Sequence, residues 1–318
     1  MNKVERLLAV INGEQPDHVP ASFWFHFPEE WSHGELSVKA HMDYYRKADP
    51  DFLKIMNEHP YRVGTKITNP SDWRKIKPAP ITSSFYQEQL DEIKMITDQL
   101  GGECLTATTL FNPFSSGNHA SSKLVTEHLK IDPISVHIGL ETIAESLAEF
   151  AQACLKAGAD GIYFSAQGGE ADRFDEELFL EHIKTHDLTV LNAVKDLSDF
   201  NILHICRDNI RLHLYSDYPG DVVNWAATAP NNIPLADGKK LFKRPVLGGL
   251  DNRGVIVDGS HQEIEARVHA IIDACGPQNL IIGADCTLPT DIDISNIRAA
   301  VLASASYGRK NNLFTIDD

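Results

Sequence analysis

Short apolar runs alternate with longer amphipathic stretches along most of the chain, and this alternation limits the possible folds more than any other feature. Eight runs have the length and the β-branched or aromatic content of strands: Val19–Phe27, Phe52–Met56, Cys104–Leu110, Gly161–Ser165, Asn201–Cys206, Asp221–Trp225, Pro245–Leu250 and Leu280–Ala284. Strands that are separated by helix-length segments run parallel, because the chain must cross back before it re-enters the sheet. The pattern therefore predicts a parallel α/β fold.

The segments between the runs carry the periodicity of amphipathic helices, with apolar residues three and four positions apart. The clearest examples are Tyr86–Leu100, Leu140–Leu155, Ile264–Cys275 and Ile294–Tyr307. Eight strand–helix units favour a closed (β/α)8 TIM barrel over an open doubly wound sheet. The first run is not followed by Gly-x-Gly-x-x-Gly, which argues against a dinucleotide-binding fold. We expect one domain, residues 1–318.

Charge and cysteine content exclude several classes of partner. The net charge is −16, which argues against nucleic acid or an anionic membrane, since phosphate contacts need clustered Lys and Arg. No segment approaches the roughly 20 apolar residues of a membrane span, and the N-terminus lacks the apolar core of a signal peptide. Five cysteines without a regular framework are typical of a reducing compartment. We therefore expect a cytoplasmic protein.

Three side chains of the metal-binding type follow two of the predicted strands. His204 and Cys206 end one run, and residues i and i+2 of a strand project to the same face. Cys286 follows the last run. The strand ends of a barrel gather at one face, so the three residues could converge there on zinc. A His-x-Cys also arises by chance, and free cysteines are often core residues, so the spacing alone leaves both interpretations open.

Other polar residues at strand ends are candidates for contact with substrate, although a strand end is also where the chain meets water. They are His26, Asn57, Glu58, Tyr163, Asn224 and Asp251, with His59, Gln167 and Arg207 as further candidates. The sequence pattern does not assign the role of catalytic acid, base or nucleophile to any of these residues.

Three more segments are distinctive. They are Gly248-Gly249-Leu250-Asp251, the run from Leu280 to Pro289, and Asn296-Ile297 with the alanine-rich stretch after it. In these segments the chain resembles the uroporphyrinogen decarboxylase superfamily, most closely between residues 201 and 308. The resemblance implies a (β/α)8 barrel, as the alternation does.

Two branches of that superfamily differ in the segment after the first strand. The decarboxylases carry Arg-Gln-Ala-Gly-Arg there, which binds the carboxylates of the substrate. This chain has Trp24-Phe25-His26-Phe27-Pro28-Glu29-Glu30 instead, with no arginine and with two glutamates. The resemblance therefore favours the other branch, the zinc-dependent, corrinoid-linked methyltransferases such as the methylcobamide:coenzyme M methyltransferases.

In that branch a His-x-Cys and a distant Cys bind zinc, and His204, Cys206 and Cys286 match these positions. The resemblance implies transfer of a methyl group from a methylated corrinoid protein, or a small methylated compound, to a small-molecule thiol activated by zinc. Related enzymes often add a carboxylate ligand from the next strand, where this chain has Asn224. The fourth ligand is then water, Asn224 or a carboxylate such as Asp251. A uroporphyrinogen-type decarboxylase and a non-catalytic corrinoid- or metal-binding barrel are the alternatives.

Overall fold

A curled sheet of parallel strands organises the structure. The computed structural model describes residues 1–308, so the end of the predicted domain, residues 309–318, lies outside the described residues. Seven strands of the described part lie in chain order, each beside the next: β1 Phe52–Ile55, β2 Leu105–Phe111, β3 Gly161–Ala166, β4 Ile202–Ile205, β5 Val222–Trp225, β6 Val246–Leu250 and β7 Leu280–Ala284. Every pairing between neighbours is parallel, as the alternation predicts.

Helices lie between the strands. In the described residues they are α1 Lys3–Ile11, α2 Gly34–Ala48, α3 Ser84–Leu100, α4 Pro113–Ala120, α5 Val125–Ile131, α6 Pro133–Lys156, α7 Glu176–Phe179, α8 Thr185–Asn192, α9 Leu235–Phe242, α10 Val255–Asp258, α11 His261–Cys275 and α12 Ile294–Ser306. The four helices predicted from periodicity are confirmed as α3, α6, α11 and α12. A capping box also fixes where α11 begins: the side chains of Ser260 and Glu263 each accept the backbone N–H of the other residue. No helix in residues 1–308 has the length and apolar character that crossing a membrane requires.

The first predicted strand, Val19–Phe27, does not form a regular strand. Residues 20–25 make isolated backbone contacts with both edges of the sheet. The Ser22 N–H donates to the Ile282 carbonyl of β7 at 2.9 Å, and the Asp51 N–H before β1 donates to the Ala21 carbonyl at 2.9 Å. The Ile282 N–H also donates to the Pro20 carbonyl at 2.8 Å, but the next bond on this side joins Leu288, beyond the end of β7, to the Trp24 carbonyl, so the regular pairing with β7 stops after Ser22. The described sheet therefore has seven regular strands and does not close as a continuous eight-stranded ladder.

Apolar side chains fill the inside of the curled sheet towards the amino ends of the strands. They come from β1, β3, β4, β5 and β7, with two residues of α1 packed against them: Phe52, Tyr163, Ile202, Val222, Ile281, Leu7 and Val10. A larger apolar layer lies between the sheet and the surrounding helices. Each fully buried side chain of this size contributes about 1.5–3 kcal/mol to stability. Polar groups inside the sheet are therefore exceptions, and they lie towards the carboxyl ends of the strands.

Candidate metal centre

His204, Cys206 and Cys286, the thiolate cluster, converge at the carboxyl ends of β4 and β7. One ligand atom of each residue lies within 4.8 Å of those of the other two, and Cys286 Sγ is 3.7 Å from His204 Nε2. A tetrahedral zinc ion, with bonds of about 2.0–2.1 Å to nitrogen and 2.3 Å to sulfur, requires about 3.6 Å between such atoms. The arrangement therefore fits a zinc site built from two distant parts of the chain.

Strand pairing sets the direction of His204 and Cys206. His204 lies beside Asn224 of β5 in the sheet register. Cys206 follows the last residue of β4, but its N–H still donates to the Ala166 carbonyl of β3 at 2.9 Å. The extended backbone continues to Cys206, so both side chains stay on the inner face.

Asp285 holds the segment that carries Cys286. Its buried carboxylate accepts the backbone N–H groups of Ala227 and Thr228 at 3.1 and 3.0 Å and the Thr228 hydroxyl at 2.5 Å. Its own N–H donates to the Leu250 carbonyl at 2.8 Å. These bonds fix the end of β7 relative to the loops that follow β5 and β6.

Asn224 determines which nitrogen of His204 is free. Its Oδ1 lies 2.5 Å from His204 Nδ1 and accepts the Tyr163 hydroxyl at 3.1 Å. Its Nδ2 donates to the carbonyls of Leu247 and Ala284, which assigns the two ends of the amide. An amide oxygen only accepts, so Nδ1 of His204 carries the proton and Nε2 keeps a free lone pair. With all of its polar groups engaged, Asn224 supports the histidine and does not offer a ligand atom.

The two cysteines are reduced, and their sulfur atoms lie within 4.8 Å of each other. Contact with the Cys206 thiol lowers the pKa of the Cys286 thiol well below its usual range. The same contact and burial raise the pKa of the Cys206 thiol. The proximity of the two sulfur atoms therefore favours the thiolate at Cys286 over the thiolate at Cys206.

A buried lysine that the sequence analysis missed lies beside the thiolate cluster. Lys54 of β1 is 4% exposed, and its Nζ lies 4.1 Å from the centre of the Tyr163 ring and 5.1 Å from that of Trp24. Burial lowers the pKa of Lys54 to about 7, a shift that the negative charge of Cys286 opposes. The signal was present in Phe52–Met56, where a lysine interrupts an otherwise apolar strand.

A cavity of about 370 Å³ opens beside the thiolate cluster at the carboxyl face of the sheet. Three cationic residues line it, Lys54, Arg207 and Arg253, and none of its described lining residues is Asp or Glu. In a chain with a net charge of −16, this lining favours an anionic ligand. A larger cavity of about 740 Å³ lies on the far side, between α1, α2 and α12, and does not include the cluster.

Four of the residues predicted to contact substrate line the cavity: His26, Tyr163, Gln167 and Arg207. His26 lies at the mouth, with Nδ1 2.5 Å from Glu58 Oε1. Glu58 thus contacts His26 and is not among the described lining residues. The Tyr163 ring stacks on His204 with centroids 5.3 Å apart, so this tyrosine supports the cluster at least as much as it faces the cavity.

The structure does not bring Asn57 and Asp251 to the cavity. Asn57 is buried, and its side chain donates to the Thr109 carbonyl and accepts the His59 N–H. Asp251 is exposed, and its carboxylate accepts the Arg253 N–H within its own turn. Both side chains stabilise local loops, so Asp251 is not in position to be the fourth ligand.

Comparison with known proteins supports the family predicted from the sequence. The model of the family described as uroporphyrinogen decarboxylase (URO-D) matches residues 53–307. The chain belongs to the uroporphyrinogen decarboxylase family. A methylcobamide:CoM methyltransferase of Methanosarcina mazei is 22% identical over 253 residues, which are 79% of this chain and 73% of the relative. Its counterpart in Methanosarcina acetivorans is 20% identical over 226 residues, 69% of this chain and 64% of the relative.

Solved structures show that this family member shares its fold with methyltransferases. A methyltransferase from Methanosarcina mazei has a TM-score of 0.78 at 18% identity and covers 96% of this chain and 99% of its own. A B12-independent methionine synthase from Shewanella sp. W3-18-1 has a TM-score of 0.64 at 14% identity, covering 93% and 99%. The two curated relatives confirm the predicted resemblance to the methyltransferase branch of the family.

Proposed function

We propose that this family member is a zinc-dependent methyltransferase. It moves a methyl group from a methylated corrinoid protein, or from a small methylated donor, to a small-molecule thiol. The observation that carries the proposal is the convergence of His204, Cys206 and Cys286 beside a cavity, with a nitrogen–sulfur separation of 3.7 Å that fits zinc. The names of the two curated relatives support methyl transfer.

The tautomer of His204 and the pKa of the Cys286 thiol both favour binding of a metal ion by the thiolate cluster. His204 offers Nε2, because Asn224 occupies its Nδ1. Cys286 offers the sulfur whose thiol pKa is lowered, and Cys206, whose thiol pKa is raised, loses its proton when the metal binds. Zinc, when bound, lowers the pKa of a coordinated thiol and so supplies a thiolate near neutral pH. Three protein ligands leave a fourth position for water or the acceptor.

The cavity provides the surroundings for transfer. The acceptor sulfur loses its proton, forms a bond to the methyl carbon, and the donor leaves with the electron pair of its own bond to that carbon. Met56, Phe111 and Leu288 supply apolar lining, which limits the water that competes for the methyl group.

The cationic lining suggests the class of acceptor. Lys54, Arg207 and Arg253 face a cavity without a described carboxylate, so we expect the thiol to carry an anionic group. A neutral thiol of the same size would forgo these charge-assisted interactions, each worth about 1.5–3 kcal/mol.

The proposal also concerns the fold and the compartment. We infer that residues 20–25, which bond to both sheet edges, take the place of the eighth strand in a (β/α)8 barrel. One domain, residues 1–318, would then carry the whole reaction. The cysteines of the cluster must stay reduced, so we expect the protein to work in the cytoplasm.

The decisive experiment combines metal analysis with a transfer assay. The purified protein should contain zinc and should convert methylcobalamin and 2-mercaptoethanesulfonate to the methyl thioether. 2-Mercaptoethanol, a thiol of similar size without the anionic group, should be a poorer acceptor. An active preparation without zinc, or unchanged zinc content in a Cys206→Ser and Cys286→Ser double variant, would contradict the proposal.

Two other outcomes identify the alternatives. Conversion of uroporphyrinogen to coproporphyrinogen would support a decarboxylase, although the segment Trp24–Glu30 has no arginine for the substrate carboxylates. Zinc binding without transfer to any thiol tested would support a non-catalytic corrinoid- or metal-binding protein.

A further inference from the structure

A second group of ligand-type side chains lies at the rim of the sheet, outside the thiolate cluster. His33 precedes α2, His59 follows β1, and Glu88 and Glu92 lie one turn apart on α3. Ligand atoms of His33, His59 and Glu92 all lie within 4.8 Å of one another. We call these four residues the rim cluster.

Contacts of His59 resemble those of a metal-binding histidine. Its Nε2 lies 3.1 Å from Glu92 Oε1, and its Nδ1 lies 3.2 Å from Glu88 Oε2. Histidines that bind metals usually donate the N–H of the other ring nitrogen to a carboxylate, which fixes the tautomer. Glu88 is placed to accept the Nδ1 proton, so Nε2 becomes the nitrogen that faces Glu92 and His33.

The buried charge of Glu92 needs compensation. Glu92 is 1% exposed, and its Oε1 also accepts the Gly34 N–H at 2.6 Å. In residues 1–308, neither Glu92 nor Glu88 forms an ion pair with a lysine or arginine, and the ion-pair partner of each is the His59 imidazole. Glu88 is 61% exposed, so water screens its charge, and the buried carboxylate of Glu92 is the one that a cation would balance.

His33 provides the observation that a simple ion pair does not explain. Its ring lies 4.8 Å from that of His59 at an interplanar angle of 62°. Its ring nitrogens bond to no other residue of the described chain. An edge-on imidazole with free nitrogens beside a carboxylate and a second imidazole supplies the third ligand of a His2Glu site.

We propose that the rim cluster is a second site for a divalent transition-metal ion such as zinc, bound by His33, His59 and Glu92, with Glu88 orienting His59. A zinc ion requires about 3.4 Å between nitrogen and oxygen ligands, close to the 3.1 Å between His59 Nε2 and Glu92 Oε1.

A metal ion bound here would link three elements of the fold near the opening of the cavity. It joins the start of α2 and the loop after β1 to α3. Glu58, next to His59, contacts His26, which lines the cavity. A metal here therefore fixes the rim and takes no part in methyl transfer, and the inference stands independently of the proposed function.

The test is a zinc titration of the untagged, full-length protein after removal of metal. The wild-type protein should bind two equivalents of zinc, and His33→Ala should bind one. The Cys206→Ser and Cys286→Ser double variant should also bind one, and adding His33→Ala to it should abolish binding. His33 is exposed, so its replacement should leave the fold intact. His182→Ala, which alters another close histidine pair, His137 and His182 with nitrogens 3.2 Å apart, is the matched control and should retain two equivalents.

Cobalt distinguishes the two sites spectroscopically. Cobalt bound to the cysteine double variant should show ligand-field bands without the thiolate charge-transfer band, and Glu92→Gln in that background should remove them. Zinc should raise the melting temperature of the cysteine double variant but not that of its His33→Ala derivative. A single equivalent in the wild-type protein that disappears with the cysteines, or a second equivalent that survives both His33→Ala and Glu92→Gln, would overturn the proposal.

Discussion

The thiolate cluster and the rim cluster differ less in the placement of their histidines than in the charge around them. In each, an oxygen atom faces the Nδ1 of a histidine: Asn224 Oδ1 for His204 and Glu88 Oε2 for His59. The thiolate cluster adjoins a cavity with three cations and no described carboxylate. The rim cluster contains its own two carboxylates and an exposed histidine.

This difference in charge suits the thiolate cluster to catalysis and the rim cluster to stabilising the fold. Thiolates beside a buried lysine at an open cavity suit a bound anion that reacts. Imidazoles and carboxylates that join three elements suit a metal that holds the backbone in place. The predictions below test this contrast, beginning with the largest expected effect.

Replacement of Cys286 by serine should have the largest effect. We expect zinc affinity at the thiolate cluster to fall more than about 100-fold, because loss of a residue that merely supports a ligand already costs about 10–100-fold. Methyl transfer should fall with it, and zinc content after dialysis and thioether formation measure the two losses. Cys275→Ser is the matched control, because Cys275 lies on α11 beside Lys239 and does not line the cavity. Equal losses in both variants would contradict the assignment.

Removal of the groups that orient the histidines should affect the zinc affinity of one cluster at a time. Asn224→Ala should weaken zinc binding only at the thiolate cluster, and Glu88→Gln only at the rim cluster, by about 10–100-fold in each case. Competition with a chelator of known affinity measures both. Glu88 is 61% exposed, so its variant should not disturb packing. A variant that weakened both sites equally would show that the clusters are not separate.

Replacement of Lys54 by methionine should affect the anionic acceptor alone. We expect the KM for 2-mercaptoethanesulfonate to rise about tenfold, since a hydrogen bond to a charged group contributes about 1.5–3 kcal/mol. The KM for 2-mercaptoethanol should stay unchanged. Lys39→Met, at an exposed position on α2, is the control. An equal rise for both thiols would assign Lys54 a purely structural role.

The same lysine predicts a pH dependence. Burial lowers the pKa of Lys54 to about 7, so the ammonium is lost as the pH rises through that value. The KM for the anionic acceptor should therefore be low below this pH and rise above it. Lys54→Arg should flatten the profile, because a guanidinium keeps its charge. A wild-type profile that is already flat would contradict the prediction.

Replacement of Tyr163 by phenylalanine should have the smallest effect. The variant loses the hydroxyl that donates to Asn224 at 3.1 Å but keeps the ring that stacks on His204. One neutral hydrogen bond contributes about 1 kcal/mol, so zinc affinity should fall about fivefold, as measured by the same chelator competition. No change would show that Asn224 orients His204 without help from Tyr163.

Most of the fold could be predicted because its signals are local. Periodicity is enough to find seven strands and four helices, since each period depends only on neighbouring residues. The prediction of a regular first strand was wrong, because residues 20–25 make only isolated backbone bonds, shared between two separate edges of the sheet. Nothing in the run Val19–Phe27 itself reveals where its hydrogen-bond partners lie.

The candidate metal site could also be predicted in part from the sequence. A two-residue period places His204 and Cys206 on one face wherever the strand lies, and the family resemblance added Cys286. Lys54 was missed because a lysine in an apolar run has no identifiable partner until the neighbouring strands are in place.

By itself, then, the sequence determined the parallel α/β architecture, its family and the face that His204 and Cys206 share. The tertiary structure alone decided the surroundings of those residues. In the folded protein Asn224 bonds to His204, and Asp251 does not line the cavity. Lys54 lines the cavity together with Cys206 and Cys286. The ligand atoms of His33, His59 and Glu92 lie close together. The physical reason is that local periodicity fixes the direction of a side chain. The distance between residues remote in sequence depends instead on strand register and on the packing of helices against the sheet.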